Sequence, residues 1–299
     1  MKKKLLLAAV CMLALSICLI GCSNSEEKAR QEAFLDAVQS GVTTWNEEST
    51  ASFSGSVERG ENLLKGVKAE ANALKDIDAD AFEDRDFAKL VSEYQEAVSM
   101  EEQGLVDYPN DAAAYNDGYV AGRAKVADIV SELTEKYGLK FDDSRVLDSV
   151  KKPASPMLTI GQKETVITDS GNVQIALEGF VVDQASTERA RQFDGYTANQ
   201  NYSYLLCTLT NESVEPKQNS MDNWLDISSM ATLQSADGID LTSPSFSYEY
   251  PGYEIATGGY YEIPAIGSTK RVAIPYVTDA NASEFRAIVG SSYCFLNAQ

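Results

Sequence analysis

The feature that most restricts the fold is a change of hydrophobic period part-way along the 299 residues. Up to Tyr137 apolar residues recur every three or four positions, and beyond Met157 they alternate every second one. Phe34, Ala37, Val38, Gly41 and Trp45 make a first helical stripe; Leu63, Leu64, Val67, Ala71 and Leu74 a second; Phe87, Leu90, Val91, Tyr94 and Val98 a third. A fourth runs through Tyr115, Tyr119, Gly122, Val126, Ile129, Leu133 and Tyr137. The breaks are Ser/Thr/Gly-rich (49–56), acidic (76–86) and Tyr108-Pro109-Asn110-Asp111, where Pro109 disfavours helix before it and Asn110 or Asp111 can cap the next start. Gly138 then suits a left-handed closing residue. Four amphipathic segments predict an antiparallel helical bundle over residues 29–138. Gly41, Gly60, Gly66, Gly118 and Gly122 each cost about 1 kcal/mol relative to alanine in a helix, and they permit close helix approach.

Between residues 139 and 157 the periodicity fades, and Lys151-Lys152-Pro153-Ala154-Ser155-Pro156 reads as a linker. Residues 158–299 then carry strand signals. Thr165–Thr168, the turn Asp169-Ser170-Gly171-Asn172 and alternating Val173, Ile175 and Leu177 predict a hairpin. Further strands are expected over Tyr202–Thr210, Leu225–Leu233, Arg271–Val277 and Phe285–Leu296, without helical pattern between them. The expectation is an α + β multidomain chain, a helical bundle followed by an immunoglobulin-like all-β sandwich.

The order of the Asp169–Asn172 hairpin, the strand ending Leu209-Thr210-Asn211-Glu212-Ser213 and the Leu233–Gly238 turn resembles the telokin-like, immunoglobulin-fold domains of unknown function in bacterial lipoproteins. Ile263-Pro264-Ala265-Ile266-Gly267-Ser268 before the Arg271–Val277 strand fits the same pattern. The excursion Asp183–Gln200 and the tyrosine-rich stretch after Thr242 depart from it. The resemblance implies the fold and carries no catalytic residues.

The N-terminus carries an address. Lys2, Lys3 and Lys4 precede the apolar run Leu5–Ile20, and Leu19-Ile20-Gly21-Cys22 ends it just before a switch to polar residues. This is an export-signal layout and resembles a lipobox, with residues 1–21 removed, Cys22 lipidated and residues 22–28 as the tether. An uncleaved anchor helix is the alternative; both readings put residues 23–299 outside the cytoplasmic membrane, on its outer face or at the outer membrane if there is one. Removing residues 1–21 takes three lysines and no acid, leaving 22 basic against 45 acidic residues and a formal charge of −23. That charge repels phosphate backbones, so nucleic acid is not an expected partner, and the covalent lipid rather than a basic patch would hold the chain to the membrane.

The sequence contains no histidine, which removes Ser-His-Asp and Cys-His catalysis and imidazole metal sites. Beyond Cys22 only Cys207 and Cys294 remain, to be read as a disulfide or as two buried thiols. Asp76-Ile77-Asp78-Ala79-Asp80 starts like a calcium loop but has Ala81 and Phe87 where glycine and glutamate are required, so it reads as an acidic helix junction. Ser149-Val150-Lys151-Lys152 has a penicillin-recognition spacing without its companion motifs. No cofactor, metal or catalytic set is expected, and the chain reads as a non-enzyme.

The remaining candidate is aromatic. Phe246, Tyr248, Tyr250, Tyr253, Tyr260 and Tyr261 form a dense run broken by Pro251-Gly252 and Gly258-Gly259, suited to a binding loop or, equally, to tyrosines packed over the core. Arg189 and Arg191 stand out as cations in an acidic chain, and a local ion pair would explain them. The leading expectation is a lipid-anchored module binding an envelope protein or cell-wall component. The alternatives are a lipoprotein sensing a small ligand or cation and, behind it, a carboxylate-dependent enzyme.

Overall fold

The computed structural model describes residues 2–216 and 223–298, with side chains from Ser25 onward. Leu19, Ile20, Gly21 and Cys22 lie outside the residues whose side chains are described. The helices are α1 (Lys2–Ser49), α2 (Ser56–Leu74), α3 (Arg85–Gly104), α4 (Ala112–Ala114), α5 (Ala121–Tyr137), α6 (Ser144–Lys151), α7 (Gln184–Phe193) and α8 (Ile227–Met230). The strands are β1 (Lys163–Thr168), β2 (Gly171–Val182), β3 (Gln200–Asn211), β4 (Trp224–Asp226), β5 (Ala231–Ser235), β6 (Glu254–Ile255), β7 (Tyr260–Glu262), β8 (Thr269–Asp279), β9 (Glu284–Val289) and β10 (Ser292–Asn297). The chain is α + β, with helices in the first half and antiparallel sheets in the second.

Aspartates set the helix starts. Asp84 accepts from the amides of Asp86 and Phe87 to open α3, and Asp111 accepts from Ala114 to open α4. Gly138, at φ 75°, closes α5 by donating its amide to the Leu133 carbonyl. Between α4 and α5 a π-helical turn, Tyr115–Val120, widens the backbone, as such turns do.

Two compact units divide the chain: Met1–Ala51, Glu61–Val106 and Asp117–Ala154 form one; Ser52–Gly60, Asp107–Asn116 and Ser155–Gln299 form the other. In the first, Phe34, Val38 and Trp45 of α1 are buried with Leu63 and Val67 of α2, Phe87, Val91, Tyr94 and Val98 of α3, and Val126, Val130 and Leu133 of α5. Each such side chain contributes about 1.5–3 kcal/mol by leaving water. Gly104 and Gly118 let the backbones touch: a Cβ on Gly118 would sit 2.5 Å from the Gly104 Cα.

This unit also buries charge. Arg123 bridges Glu70 with two bonds of 3.1 Å, lies with Nε 3.0 Å from Glu101 Oε1, and stacks 4.1 Å from the Trp45 ring centre. Tyr94 donates to Glu70 at 2.9 Å.

The stretch read as a linker (139–157) contains α6, whose Val146 and Val150 are buried, so residues 144–151 belong to the first unit. Two buried residues one helical turn apart are too few to register as a period. The 29–138 boundaries are also broken: residues 52–60 and 107–116 group with the second unit, where Tyr108 and Tyr115 pack on Phe295 and Tyr293.

In that second unit a five-stranded sheet, β1-β2-β3-β8-β6, and a three-stranded sheet, β10-β9-β5, share one core; β4 and β7 pair separately. Pairing is antiparallel except between β6 and β8. The predicted hairpin forms with Thr168 opposite Gly171. Leu205, Cys207 and Leu209 of β3 face the core together with Val272 and Ile274 of β8, whereas Tyr202, Tyr204 and Ala273 face the other way. Both faces of the large sheet are therefore covered.

The cover on the second face is α7 and the segment after Thr242. The helix corrects the expectation of uninterrupted strands: Asp183 caps it through the Ser186 amide, and only Ala190 among its apolar residues is buried. The expected Leu225–Leu233 strand is likewise divided by the single turn α8, capped by Asp226.

Candidate functional site

Between α7 and residues 247–255 lies an open cleft of about 1080 Å³, lined by Asp183, Ser186 and Arg189 on one side and by Tyr248, Tyr250 and Tyr253 on the other. Its floor is built by strand alternation. Tyr202 and Tyr204 project from β3 on the face away from the main core and pack as tilted rings against the loop: Tyr202 on Tyr248 at 5.1 Å, Tyr204 on Tyr250 at 4.9 Å, and Tyr250 on Tyr253 at 5.5 Å. Tyr196 adds a further ring, 6.3 Å from Tyr202 and nearly parallel to it. Such ring pairs contribute about 0.5–1.5 kcal/mol each beyond the area they bury.

The loop has few ladder bonds of its own and is held by phenols. Tyr202 donates to the Phe246 carbonyl at 2.9 Å and Tyr204 to the Tyr248 carbonyl at 3.1 Å, while the Tyr248 amide donates to the Tyr202 oxygen at 3.3 Å. Tyr248 donates to Asp194, and Tyr253 to Glu178. Burial, reinforced by Asp194, pushes the Tyr248 phenol up to about 12. Burial and the Glu178 hydrogen bond likewise raise Tyr253 to about 12. These phenols are neutral hydrogen-bond donors at ordinary pH.

Glu178 owes its position to a bulge. The β2–β3 register shifts between Leu177 and Gly179, leaving Glu178 outside the ladder. It meets Arg271 Nη2 at 2.6 Å, and Arg271 stacks 4.1 Å from the Tyr253 ring centre. The Arg271 hydrogen bonds hold the Glu178 carboxyl below its usual range.

Arg189 stacks 4.8 Å from the Tyr248 ring centre and lines the cleft. Arg191 instead donates to the carbonyls of Ala198 and Gln200, both at 3.2 Å, and closes the α7–β3 loop. The carboxylate partner expected for these arginines is in neither case the contact that orders them.

Of the six aromatics in the run, Tyr248, Tyr250 and Tyr253 are brought together. Phe246 is 59 % exposed and borders them through its carbonyl. Tyr260 and Tyr261 lie apart on β7, and Tyr261 is a correction: opposite Leu225, it turns into the main core, with its hydroxyl donating to Glu254. Tyr202, Tyr204, Glu178 and Arg271 complete the arrangement. The even-numbered apolar positions Tyr202, Tyr204 and Leu206 were the available sign that β3 is covered on both faces.

Cys207 and Cys294 are buried free thiols, pushed up to about 12 and about 11 by burial. Among the described residues no group of three or more Cys, Asp or Glu side chains is arranged to hold a metal ion, and no helix is long and apolar enough to cross a membrane. Compared with protein-family models, curated proteins and solved structures, the chain matches none.

Proposed function

We propose that this chain is an extracytoplasmic lipoprotein, anchored through Cys22, whose second unit is an immunoglobulin-like sandwich akin to the telokin-like domains, and that it binds an envelope protein or cell-wall component without catalysing a reaction. The observation that carries the reading is the cleft with its paired rings. Tyr248, Tyr250 and Tyr253 are fixed by tilted ring–ring packing and by phenol–carbonyl bonds before any partner arrives, so little order remains to be imposed on binding. Flat rings with polar tips supply contact area, and Arg189 adds a cation beside them.

Reacting groups are weakly provided. The cleft serines Ser186 and Ser247 have no histidine to activate them, and of the two acids that line the cleft, Asp183 is engaged as the α7 cap and Glu249 stands alone without a second lining carboxylate to pair with.

A second reading, capture of a small molecule, draws on the size of the cleft: about 1080 Å³ lies at the upper end of ligand pockets, which run to roughly 1,000 Å³. A thermal shift with a low-molecular-weight compound, abolished by Arg189→Ala, would favour it. For the leading reading, the anchored full-length chain and its Tyr248→Ala/Tyr250→Ala/Tyr253→Ala variant are compared for in-cell crosslinked partners. Loss of a specific adduct from the folded variant supports the cleft; an unchanged adduct pattern removes it.

A further inference from the structure

Within the second unit another cluster lies on the outer face of the three-stranded sheet, away from the tyrosine cleft and independent of it. Arg286 of β9 stands opposite Phe295 of β10, and its guanidinium stacks 4.7 Å from the ring centre of the neighbouring Tyr293. Arg59, from the first turn of α2, lies 5.7 Å from the same ring and 5.1 Å from that of Phe53. Two guanidinium groups therefore share one aromatic ring.

Neither is neutralised. Acids outnumber bases 45 to 25, yet among the described residues Arg59 and Arg286 form no ion pair, while Arg30, Arg123, Arg145 and Arg271 do. The acids close to them in the fold are turned elsewhere: Glu284 accepts from the Ser56 amide at 3.2 Å, and Asp240 from Gln234 Nε2 at 2.8 Å. The Nε atoms of both arginines are enclosed and have no hydrogen-bond partner. Orphaned buried donors are rare, and a bound water or ion is one of the features that account for them. Burial first, and then the charge of Arg59, push Arg286 below the usual arginine value. In Arg59 burial acts in the same downward direction, but the phenols of Tyr293, Tyr108 and Tyr115 outweigh it and the net displacement is upward.

We propose that Arg59 and Arg286 form a binding site for an oxyanion of the phosphate type. Ring stacking occupies the faces of the guanidinium groups; Arg59 gives one hydrogen bond to Tyr293, and the remaining N–H groups of the two edges are left as donors. Two such edges beside each other match the several oxygens and the double charge of a phosphate better than the single charge of a carboxylate. Both residues are only partly buried, so the anion approaches the solvent-facing part of each side chain rather than the enclosed Nε. The acidic remainder of the chain opposes its approach, which makes binding weak and sensitive to salt.

The probe is inorganic phosphate, added to the full-length chain at constant ionic strength and followed by 31P line broadening and by thermal melting. Broadening and a rise in Tm that a chloride control lacks are expected, with R59Q and R286Q each weakening binding at least tenfold. R59K/R286K keeps the charge but loses the fork, and weakens it less. Equal broadening in the wild type and the R59Q/R286Q variant, or none in the wild type, overturns the proposal. If the glutamine variants fail to fold, the lysine pair decides by the same criteria: unchanged broadening there contradicts a guanidinium site. Phosphatidylcholine vesicles with and without phosphatidylglycerol separate the two sources of such an anion. Arginine-dependent sedimentation with the anionic vesicles assigns the site to a lipid headgroup, and broadening without sedimentation assigns it to free phosphate.

Discussion

Glu101 Oε1 lies 3.0 Å from Arg123 Nε with both side chains fully enclosed, while the same guanidinium directs its two Nη groups to Glu70. Two carboxyls thus face one cation, with Tyr94 and Trp45 closing the remaining sides. Burial raises the Glu101 carboxyl well above its usual range; Arg123 opposes this and Glu70 adds to it.

The pH dependence follows from that sign. A carboxyl whose folded pKa exceeds its unfolded value near 4.5 contributes stability that is complete below that value and is lost as pH rises through the folded one. Glu101→Gln mimics the protonated group, so urea melts from pH 5 to 9 should show a shallower decline with pH than the parent. A parallel decline would place the titrating group elsewhere. Glu70→Gln, which leaves the buried Arg123 without its two-pronged partner, should cost about 3–5 kcal/mol at pH 7.

Gly118 and Gly104 make a second test of the helical unit. Alanine at 118 would put Cβ 2.5 Å from the Gly104 Cα, and backbone cannot yield as a side-chain tip does. Gly118→Ala should lower stability by about 1–3 kcal/mol or more despite better helix propensity, as read by thermal melting. A stabilised variant would contradict this close approach.

The phenol–carbonyl bonds predict how the cleft loop moves. Tyr204→Phe keeps the ring against Tyr250 but frees the Tyr248 carbonyl, at about 1 kcal/mol. Amide exchange over residues 247–253 should accelerate while that of β3 and β8 does not. Uniform acceleration would indicate a global effect instead.

The thiols predict inertness. Cys207 is wholly enclosed and Cys294 nearly so, with both thiols shifted away from the reactive thiolate. A maleimide should label neither in the native chain and both in denaturant, as counted by mass.

The sequence was legible where many residues repeat one instruction. Phe87, Leu90, Val91, Tyr94 and Val98 lie on one face of α3 because five positions agree on the period. It was illegible where few do. Helix α6 rests on Val146 and Val150, and α7 on Ala190 with an aspartate cap, so both were hidden in stretches read as linker or excursion. The tyrosine run announced its composition but not its orientation: Tyr253 turns to Glu178, a residue displaced by a bulge with no helical or alternating signal, whereas Tyr261 turns inward because β7 pairs with β4. Arg189 was visible as an odd charge; its ring partner Tyr248, distant along the chain, was not.

The most direct test of the cleft as a binding site is a photo-reactive residue at position 250 of the full-length chain, irradiated in cells with and without Arg189→Ala. A discrete adduct that disappears with the arginine is the predicted result. No adduct, or one indifferent to Arg189, would contradict a binding role for this cleft.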